Sequence, residues 1–176
     1  MQAPELQGGG FILRGIDLDN APEWLAGEDE EQLRAFESPR PSELPDVRRA
    51  IRNWKAGWEE CGTVRHWAIW LGQPEVLAGG IELRDLGDWQ RANLSYVVFP
   101  RFRHRDLATR ACRLALSYGW QVIGVQAVRI VTLDWNVASR RVAEKLGARF
   151  VGQETSDQGL GTFDVFELLP DRQDSG

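Results

Sequence analysis

Three β-rich segments that follow one another without an intervening helix constrain the fold of this chain more than any other feature. They occupy residues 64–72, 76–86 and 91–99, and a turn signal at residues 73–75 separates the first two. Consecutive strands with short connections usually pair with one another, so we expect an antiparallel meander. The third segment ends at Pro100, where the pattern of the sequence changes.

Beyond Pro100 the sequence alternates between helical and β patterns. The predicted elements are a helix over 106–122, a strand over 127–135, a helix over 136–148 and strands over 149–155 and 162–169. A meander followed by strand, helix, strand and helix requires a mixed sheet with helices on both faces. The predicted fold class is therefore α/β, with an α+β mixed sheet.

The segment before the meander is predicted to be mainly helical. A first strand at 11–16 precedes a short helix at 18–27, and the acidic stretch 28–45 is predicted to form a surface helix turn and a loop. A longer helix over 46–60 begins at Asp46, a candidate N-cap, and carries apolar residues at helical spacing.

The length and composition are those of one globular domain. The chain has 176 residues, of which 43% are hydrophobic and 27% are charged, and this suffices for one core. Residues 1–10 and 170–176 are predicted to be flexible termini, which leaves residues 11–169 as a single domain. No apolar run is long enough to cross a bilayer, and we expect a location in the reducing cytoplasm.

The charge and the metal-binding residue types narrow the function. A net charge of −5 argues against a general nucleic-acid binder, which is normally basic. It does not exclude a polyanionic ligand, because the local charge is decisive. With two histidines and two isolated cysteines, Cys61 and Cys112, we expect no metal site and two small buried or half-buried thiols.

A basic cluster stands directly before the helix at 106–122. Arg101, Arg103 and Arg105 flank His104 in a chain that is otherwise acidic. The first amides of a helix have no internal acceptor, and the helix dipole adds positive potential there, so a phosphate can bind. On this stretch alone, a solvated surface turn is the alternative.

Two longer stretches support an anion site. They read SYVVFPRFRHRDLATRA at residues 95–111 and VTLDWNVASRRVAEKLGARFVG at residues 131–152. In this order, and after a meander, they resemble the GNAT superfamily of N-acetyltransferases, in its ribosomal-protein N-terminal and aminoglycoside-type branch. The resemblance implies a mostly antiparallel sheet that is splayed at a central bulged strand. It also implies transfer of an acetyl group from acetyl-CoA to a primary amine of a small molecule or a peptide N-terminus by direct attack.

The resemblance also assigns the residues that would hold acetyl-CoA. Backbone groups of Val97, Val98 and Phe99 would pair with the pantetheine arm, and Asn136 and Ser139 would lie along its opposite side. The amides that would bind the pyrophosphate belong to Arg103, His104, Arg105, Asp106, Leu107, Ala108 and Thr109.

The turn departs from the family pattern where glycine is usual, at His104 and Asp106. Glycine permits unusual torsion angles and a close approach of the backbone, whereas Asp106 adds a carboxylate beside the expected pyrophosphate. Asp106 could turn outward while the arginines and Thr109 compensate. Alternatively it could cap the helix through the amide of Ala108 or Thr109, which would leave a degenerate site and a non-catalytic binding module.

Acetyl transfer to an amine requires a base, and the leaving thiolate requires a proton. Glu82 is the first candidate for the base, directly or through water, and Asp134 is the second. Their structural alternatives are a surface glutamate and a turn-forming aspartate. Tyr96 is the candidate general acid by resemblance, because family members often use a tyrosine near the thiol; water is the alternative donor.

The acceptor side is assigned to the N-terminal helices. Trp54 and Trp58, four residues apart, are either core residues or an aromatic wall for an amine. The acidic run that contains Glu31 is either a solvated loop or a negative field that steers a cationic acceptor. The expected partners are an amine substrate, no nucleic acid and no membrane, with a homodimer as one assembly. An acyltransferase for a larger acyl-CoA is a further alternative.

Overall fold

In the part of the chain that the structure describes, the strands form one eight-stranded sheet. The computed structural model describes residues 2–59, 62–155 and 161–170. The strands are β1 (Leu6–Gly8), β2 (Phe11–Arg14), β3 (Val64–Leu71), β4 (Val76–Asp85), β5 (Arg91–Val98), β6 (Ala127–Leu133), β7 (Arg149–Thr155) and β8 (Thr162–Leu168). Their order in the sheet is β1-β2-β3-β4-β5-β6-β8-β7. Within the described residues, β5 and β6 form a parallel pair and all other neighbours are antiparallel.

Helices cover both faces of this sheet. They are α1 (Ala21–Gly27), α2 (Glu30–Ala35), α3 (Leu44–Gly57), α4 (Leu107–Tyr118) and α5 (Val137–Lys145). Trp54 of α3 contacts Glu82 of β4, whereas Gly119, directly after α4, packs against Leu83. Since neighbouring strand residues point to opposite faces, α3 and α4 lie on opposite sides, and the predicted mixed sheet is confirmed.

The predicted meander is present as β3, β4 and β5, and each strand ends within one residue of its expected limit. The long β-rich runs made these strands predictable, because each run is bounded by turn residues. The register of β5 against β4 is continuous up to Val98, so the bulge expected in this central strand is not found within 91–98. Register shifts are found between β3 and β4, one strand away, and between β7 and β8.

The sheet is splayed between β5 and β6. These strands pair only from Arg91 opposite Ala127 to Leu94 opposite Ile130. After Leu94, β5 continues along β4, while β6 continues along β8. A gap therefore opens between the carboxyl ends of the two parallel strands, in front of α4.

Two N-terminal predictions were wrong. Residues 6–8, expected in a flexible leader, pair with β2 as a short strand. The helix α3 begins at Leu44 with Glu43 as its N-cap, and Asp46 accepts the amide of Glu43 at 3.0 Å from inside the first turn. Cys61 and, of the expected C-terminal tail, residues 171–176 lie outside the described residues.

Candidate functional site

A cleft of about 970 Å³ occupies the gap between β5 and β6. Residues 94–98 of β5 and 131–133 of β6 form its sides. The turn at 102–109 closes one end, and residues from α2 and α5 complete the wall. The cleft therefore joins the two stretches of sequence that carry the family resemblance.

The turn before α4 contains two residues in the left-handed region, His104 with φ of 60° and Asp106 with φ of 56°. These are the two positions where glycine was expected. Such residues within a turn direct neighbouring amides to one side and create a concave site for an anion. The amides from His104 to Thr109, all within the described structure, have no backbone acceptor, and no side chain caps α4. They remain available to a ligand.

The Asp106 carboxylate is bound elsewhere. It accepts a hydrogen bond from Lys145 Nζ at 2.8 Å, and a second from the Thr109 side chain. These hydrogen bonds lower the pKa of Asp106, so the carboxylate is ionised at neutral pH. Of the two arrangements expected for Asp106, the structure has the outward one: the carboxylate does not cap the amide of Ala108 or Thr109, so the reason for expecting a degenerate site is absent.

The cleft is basic although the protein is acidic. Among the residues that the structure describes, two acidic side chains line it, and both form ion pairs: Glu31 with Arg103 and Asp106 with Lys145. The basic side chains along the cleft are Arg103, His104, Arg105, Arg141 and Lys145. A net positive potential therefore faces the ligand.

Sequence reasoning missed two of these residues. Arg141 and Lys145 are four residues apart on α5, a spacing that places both on one side of the helix. That spacing within the second motif was the available signal. Arg101, which was counted in the basic cluster, does not line the cleft and instead lies over the Phe102 ring at 4.7 Å.

Arg103 is engaged by α2. Its guanidinium donates to both carboxylate oxygens of Asp29, at 2.7 and 2.9 Å, and to Glu31 at 2.9 Å. Burial opposes ionisation of Asp29, but the Arg103 hydrogen bonds and the amide of Gln32 outweigh it and lower the pKa of Asp29. Arg103 therefore ties α2 to the turn.

Of the three residues whose backbone groups are expected to face the gap, Val98 does, whereas Val97 and Phe99 face β4. The Phe99 amide donates to the Ala78 carbonyl at 2.8 Å, on the β4 side. Backbone groups alternate between the two neighbours of a strand, so Val97 also faces β4, whereas Tyr96 and Val98 face the gap. The Val98 carbonyl accepts a hydrogen bond from Arg103 Nε at 2.9 Å. The groups that remain available to a ligand in the gap are therefore the Val98 amide and the backbone amide and carbonyl of Tyr96.

Tyr96, Asn136 and Ser139 come together in the cleft. The Tyr96 hydroxyl donates to the Ser139 carbonyl at 3.0 Å and lies 2.7 Å from its Oγ. Asn136 caps α5, as predicted, by accepting the Ser139 amide at 3.0 Å. Burial raises the pKa of Tyr96, so its hydroxyl stays protonated over the physiological range.

Glu82 lies on the opposite face of the sheet from Tyr96. Its side chain is 16% exposed and accepts hydrogen bonds from Trp54 Nε1 at 3.1 Å and from Arg84 at 2.7 Å. Its cross-strand neighbour is Ser95, which lines the cleft. Because the two side chains are on opposite faces of the sheet, Glu82 and Tyr96 can contact the same ligand only if that ligand passes through the gap between β5 and β6.

The remaining candidates lie away from this cleft. Asp134 is exposed and lines neither this cleft nor the second cavity, which lies on the α3 side. Trp54 stacks on His66 with ring centroids 3.8 Å apart, and Trp58 donates to the His66 carbonyl at 2.9 Å. Both tryptophans line this second cavity, which has a volume of about 910 Å³.

In the described part of the chain, no group of three or more His, Cys, Asp or Glu side chains could hold a metal ion. No helix in that part is long and apolar enough to cross a membrane. Cys112 is buried in α4, and burial raises the pKa of its thiol.

The splayed sheet with an anion-binding turn at its opening defines a GNAT-type fold. Residues 11–149 match the family described as the acetyltransferase (GNAT) domain. The match covers most of the chain, which therefore belongs to the GNAT acetyltransferase family.

The sequence is also similar to individual curated proteins. The chain is 29% identical over 77 residues to spermidine N(1)-acetyltransferase of Escherichia coli (strain K12), which is 43% of this chain and 41% of that enzyme. The match thus spans less than half the length of this curated relative.

Solved structures share the fold. RimL, a ribosomal L7/L12 α-N-protein acetyltransferase in complex with coenzyme A, has a TM-score of 0.82 at 14% identity, covering 94% of this chain and 98% of that one. Spermidine N-acetyltransferase from Vibrio cholerae, in complex with CoA and spermine, has a TM-score of 0.77 at 12% identity, covering 91% and 95%. At these identities the likeness concerns the fold.

Proposed function

We propose that this protein is an acetyl-CoA-dependent N-acetyltransferase that acts on a primary amine of a small molecule or a peptide N-terminus. The observation that carries the proposal is the row of free amides from His104 to Thr109 at the opening of the splayed sheet. Family membership supports the same activity. We propose the cytoplasm as its location, in keeping with the buried free thiol of Cys112.

The cleft suits the chemistry of the acyl donor. Acetyl-CoA supplies an acetyl group activated as a thioester. The amides of residues 104–109, with Arg105 and Arg141, offer hydrogen bonds and positive charge to its diphosphate. The backbone of Tyr96 and the Val98 amide offer strand-like partners to an extended chain that contains amides.

Glu82 is the proposed base. An ammonium group must lose a proton before it can attack, and a carboxylate can accept that proton directly or through one water. The contacts with Trp54 and Arg84 fix the orientation of the carboxylate, and its cross-strand neighbour Ser95 lines the cleft. The position on the α3 face separates the base from the buried Tyr96.

Tyr96 is proposed as a hydrogen-bond donor. Because burial raises the pKa of its hydroxyl, transfer of its proton to a thiolate is unfavourable, whereas donation of a hydrogen bond is not. In the structure the single hydroxyl proton of Tyr96 is directed at the Ser139 carbonyl, so donation to a thiolate requires the hydroxyl to turn away from that carbonyl; Ser139 Oγ, 2.7 Å away, is then placed to donate to the Tyr96 oxygen. We assign the final protonation of the thiolate to water.

The identity of the acceptor amine can be tested with a panel of amines chosen from the names of the relatives. These are a polyamine, as in the spermidine acetyltransferases, and a protein α-amine, as in RimL. Thiol release from acetyl-CoA should be measured with spermidine, spermine, an aminoglycoside and a short peptide. The same peptide with a blocked N-terminus is the matched control.

Calorimetric titration with CoA and acetyl-CoA tests the donor site separately. We expect saturable binding of both, and amine-dependent thiol release with at least one member of the panel. Absence of CoA binding up to about 1 mM, which corresponds to roughly 4 kcal/mol, would contradict the proposal.

A further inference from the structure

We propose that Lys145 is a positioning residue of the acyl-donor site, whose ammonium group holds the Asp106 carboxylate away from the free amides of α4. The inference rests on the proposed function, since it concerns the amides that would bind the diphosphate. It explains how an aspartate can replace glycine in this turn without closing the site.

Asp106 has two competing arrangements. Aspartate is among the preferred N-cap residues, and in that role it adopts an extended backbone and accepts an amide of the first turn. Here its φ and ψ are 56° and 16°, and it caps nothing. The left-handed region is uncommon for residues other than glycine, although Asp tolerates it better than most. Contacts of the carboxylate must therefore favour the arrangement that is observed.

Lys145 provides the contact that comes from outside the turn. It lies in the last turn of α5, and Arg113 of α4 donates to its carbonyl at 2.6 Å. The backbone of Lys145 is thereby held against α4, and its Nζ reaches Asp106 at 2.8 Å. The second contact, with Thr109, comes from within the helix that the carboxylate would otherwise cap.

The free energies that separate the two arrangements of Asp106 are small, so one contact can change which of them is populated. The two side chains are 58% and 42% exposed, so their ion pair is weak, as exposed pairs are. The cap that it prevents would gain about one hydrogen bond and would also release Asp106 from the left-handed region, which Asp tolerates at small cost. Loss of one contact can then shift the carboxylate onto the amides.

A double-mutant cycle on CoA affinity tests this inference. Lys145→Ala in the natural sequence should weaken CoA binding about tenfold, because the freed carboxylate competes with the diphosphate for the amides. In the Asp106→Gly background there is no carboxylate to release, and the same change should cost no more than about threefold. Asp106→Gly alone should tighten binding.

Two control variants separate positioning from direct contact. Lys145→Arg should keep the affinity, because it keeps the charge. Arg141→Ala, one turn earlier on the same side of α5, should cost the same in both backgrounds. Thermal unfolding of each variant checks that it is folded, and Lys145→Gln replaces the alanine variant if that one is not.

The possible outcomes are distinguishable. Equal losses for Lys145→Ala in the two backgrounds, with CoA bound by the natural protein, would overturn the positioning role and leave the proposed function intact. If the natural protein does not bind CoA, both are overturned. A background-dependent loss that shrinks as salt is added is the result that we expect, because salt screens an exposed pair.

Discussion

At the scale of single residues, the turn before α4 combines an unusual backbone with ordinary side chains. His104 has φ of 60° and is exposed, whereas Arg105 beside it is not among the residues with positive φ. A β-branched side chain is poorly tolerated in the left-handed region. We expect His104→Val to lower the free energy of unfolding by about 1–2 kcal/mol. Arg105→Val, the matched control, should change it by less than about 0.5 kcal/mol. Urea denaturation measures both; equal losses would contradict the expectation.

The proposed base gives a second prediction at this scale. Glu82→Gln keeps the shape and the acceptor oxygen that faces Trp54 but cannot take a proton. We expect kcat to fall about 100-fold with little change in CoA affinity, since the side chain lies outside the donor cleft. Asp134→Asn is the control, because Asp134 is exposed and lines neither cavity. Turnover that survives Glu82→Gln would remove this residue from the mechanism.

Some of these residues could be predicted from sequence and others could not. Asn136 was predictable as a cap, because a cap and its helix are neighbours along the chain. Asp106 and Lys145 are 39 positions apart, and Arg103 and Asp29 are 74. Local periodicity carries no information on which charged side chains meet after folding. The sequence therefore predicted the type of site but not the ion pairs that shape it.

At the scale of elements, α2 differs from the other elements of the cleft wall, β5, β6, α4 and α5, each of which has at least one buried residue. The helix α2 itself has no buried residue. Arg103 binds its start through Asp29 and Glu31, and Arg34 lies 4.2 Å from the Trp135 ring, beyond the end of β6. These contacts fall on the two sides of the gap between β5 and β6, so polar contacts hold α2 across it.

Asp29→Asn tests this attachment. Asparagine is as good an N-cap as aspartate, so the change removes the charge and keeps the cap. We expect the amides of residues 30–35 to exchange with deuterium about tenfold faster, since a charge-assisted bidentate pair is lost. Glu30→Gln, at an exposed position on the same helix, should leave the exchange rate unchanged. Equal rates in all three proteins would show that Arg103 does not hold α2.

The order of strands illustrates the limit of sequence reasoning at this scale. The meander was predictable because its strands are long and consecutive. In contrast, β8 lies between β6 and β7, although β7 precedes it in the chain. The exposure of β7 explains this, since Phe150 is 56% and Val151 55% exposed, whereas Val165 and Phe166 of β8 are buried. The strand that buries its side chains occupies the interior position, but pattern alone did not reveal which strand that is.

At the scale of the whole molecule, the two faces of the sheet have different roles. The α4 face carries the donor turn. The α3 face carries a cluster of rings in which His66 stacks on Trp54, with Trp24 5.6 Å away. Trp54 in turn donates to Glu82, so the proposed base is supported by the core of the α3 face. The protonation state of that core therefore bears on both stability and function.

His66 makes the stability of the whole fold depend on pH. Burial lowers the pKa of His66 to about 3, from an ordinary value of 6.5. Between these values the unfolded chain binds a proton that the folded protein excludes. The free energy of unfolding should therefore have its highest value above pH 6.5 and fall by about 1.4 kcal/mol per pH unit as the pH drops from 6.5 towards 3.

His66→Phe tests this dependence, because it keeps a ring on Trp54 and removes the titrating group. The slope should disappear between pH 6.5 and 5, above the range where carboxylates titrate. Urea unfolding at pH 7, 6 and 5 measures it, and His104→Gln, at an exposed histidine, should retain the slope. A slope that persists in His66→Phe would mean that another group governs the acid sensitivity.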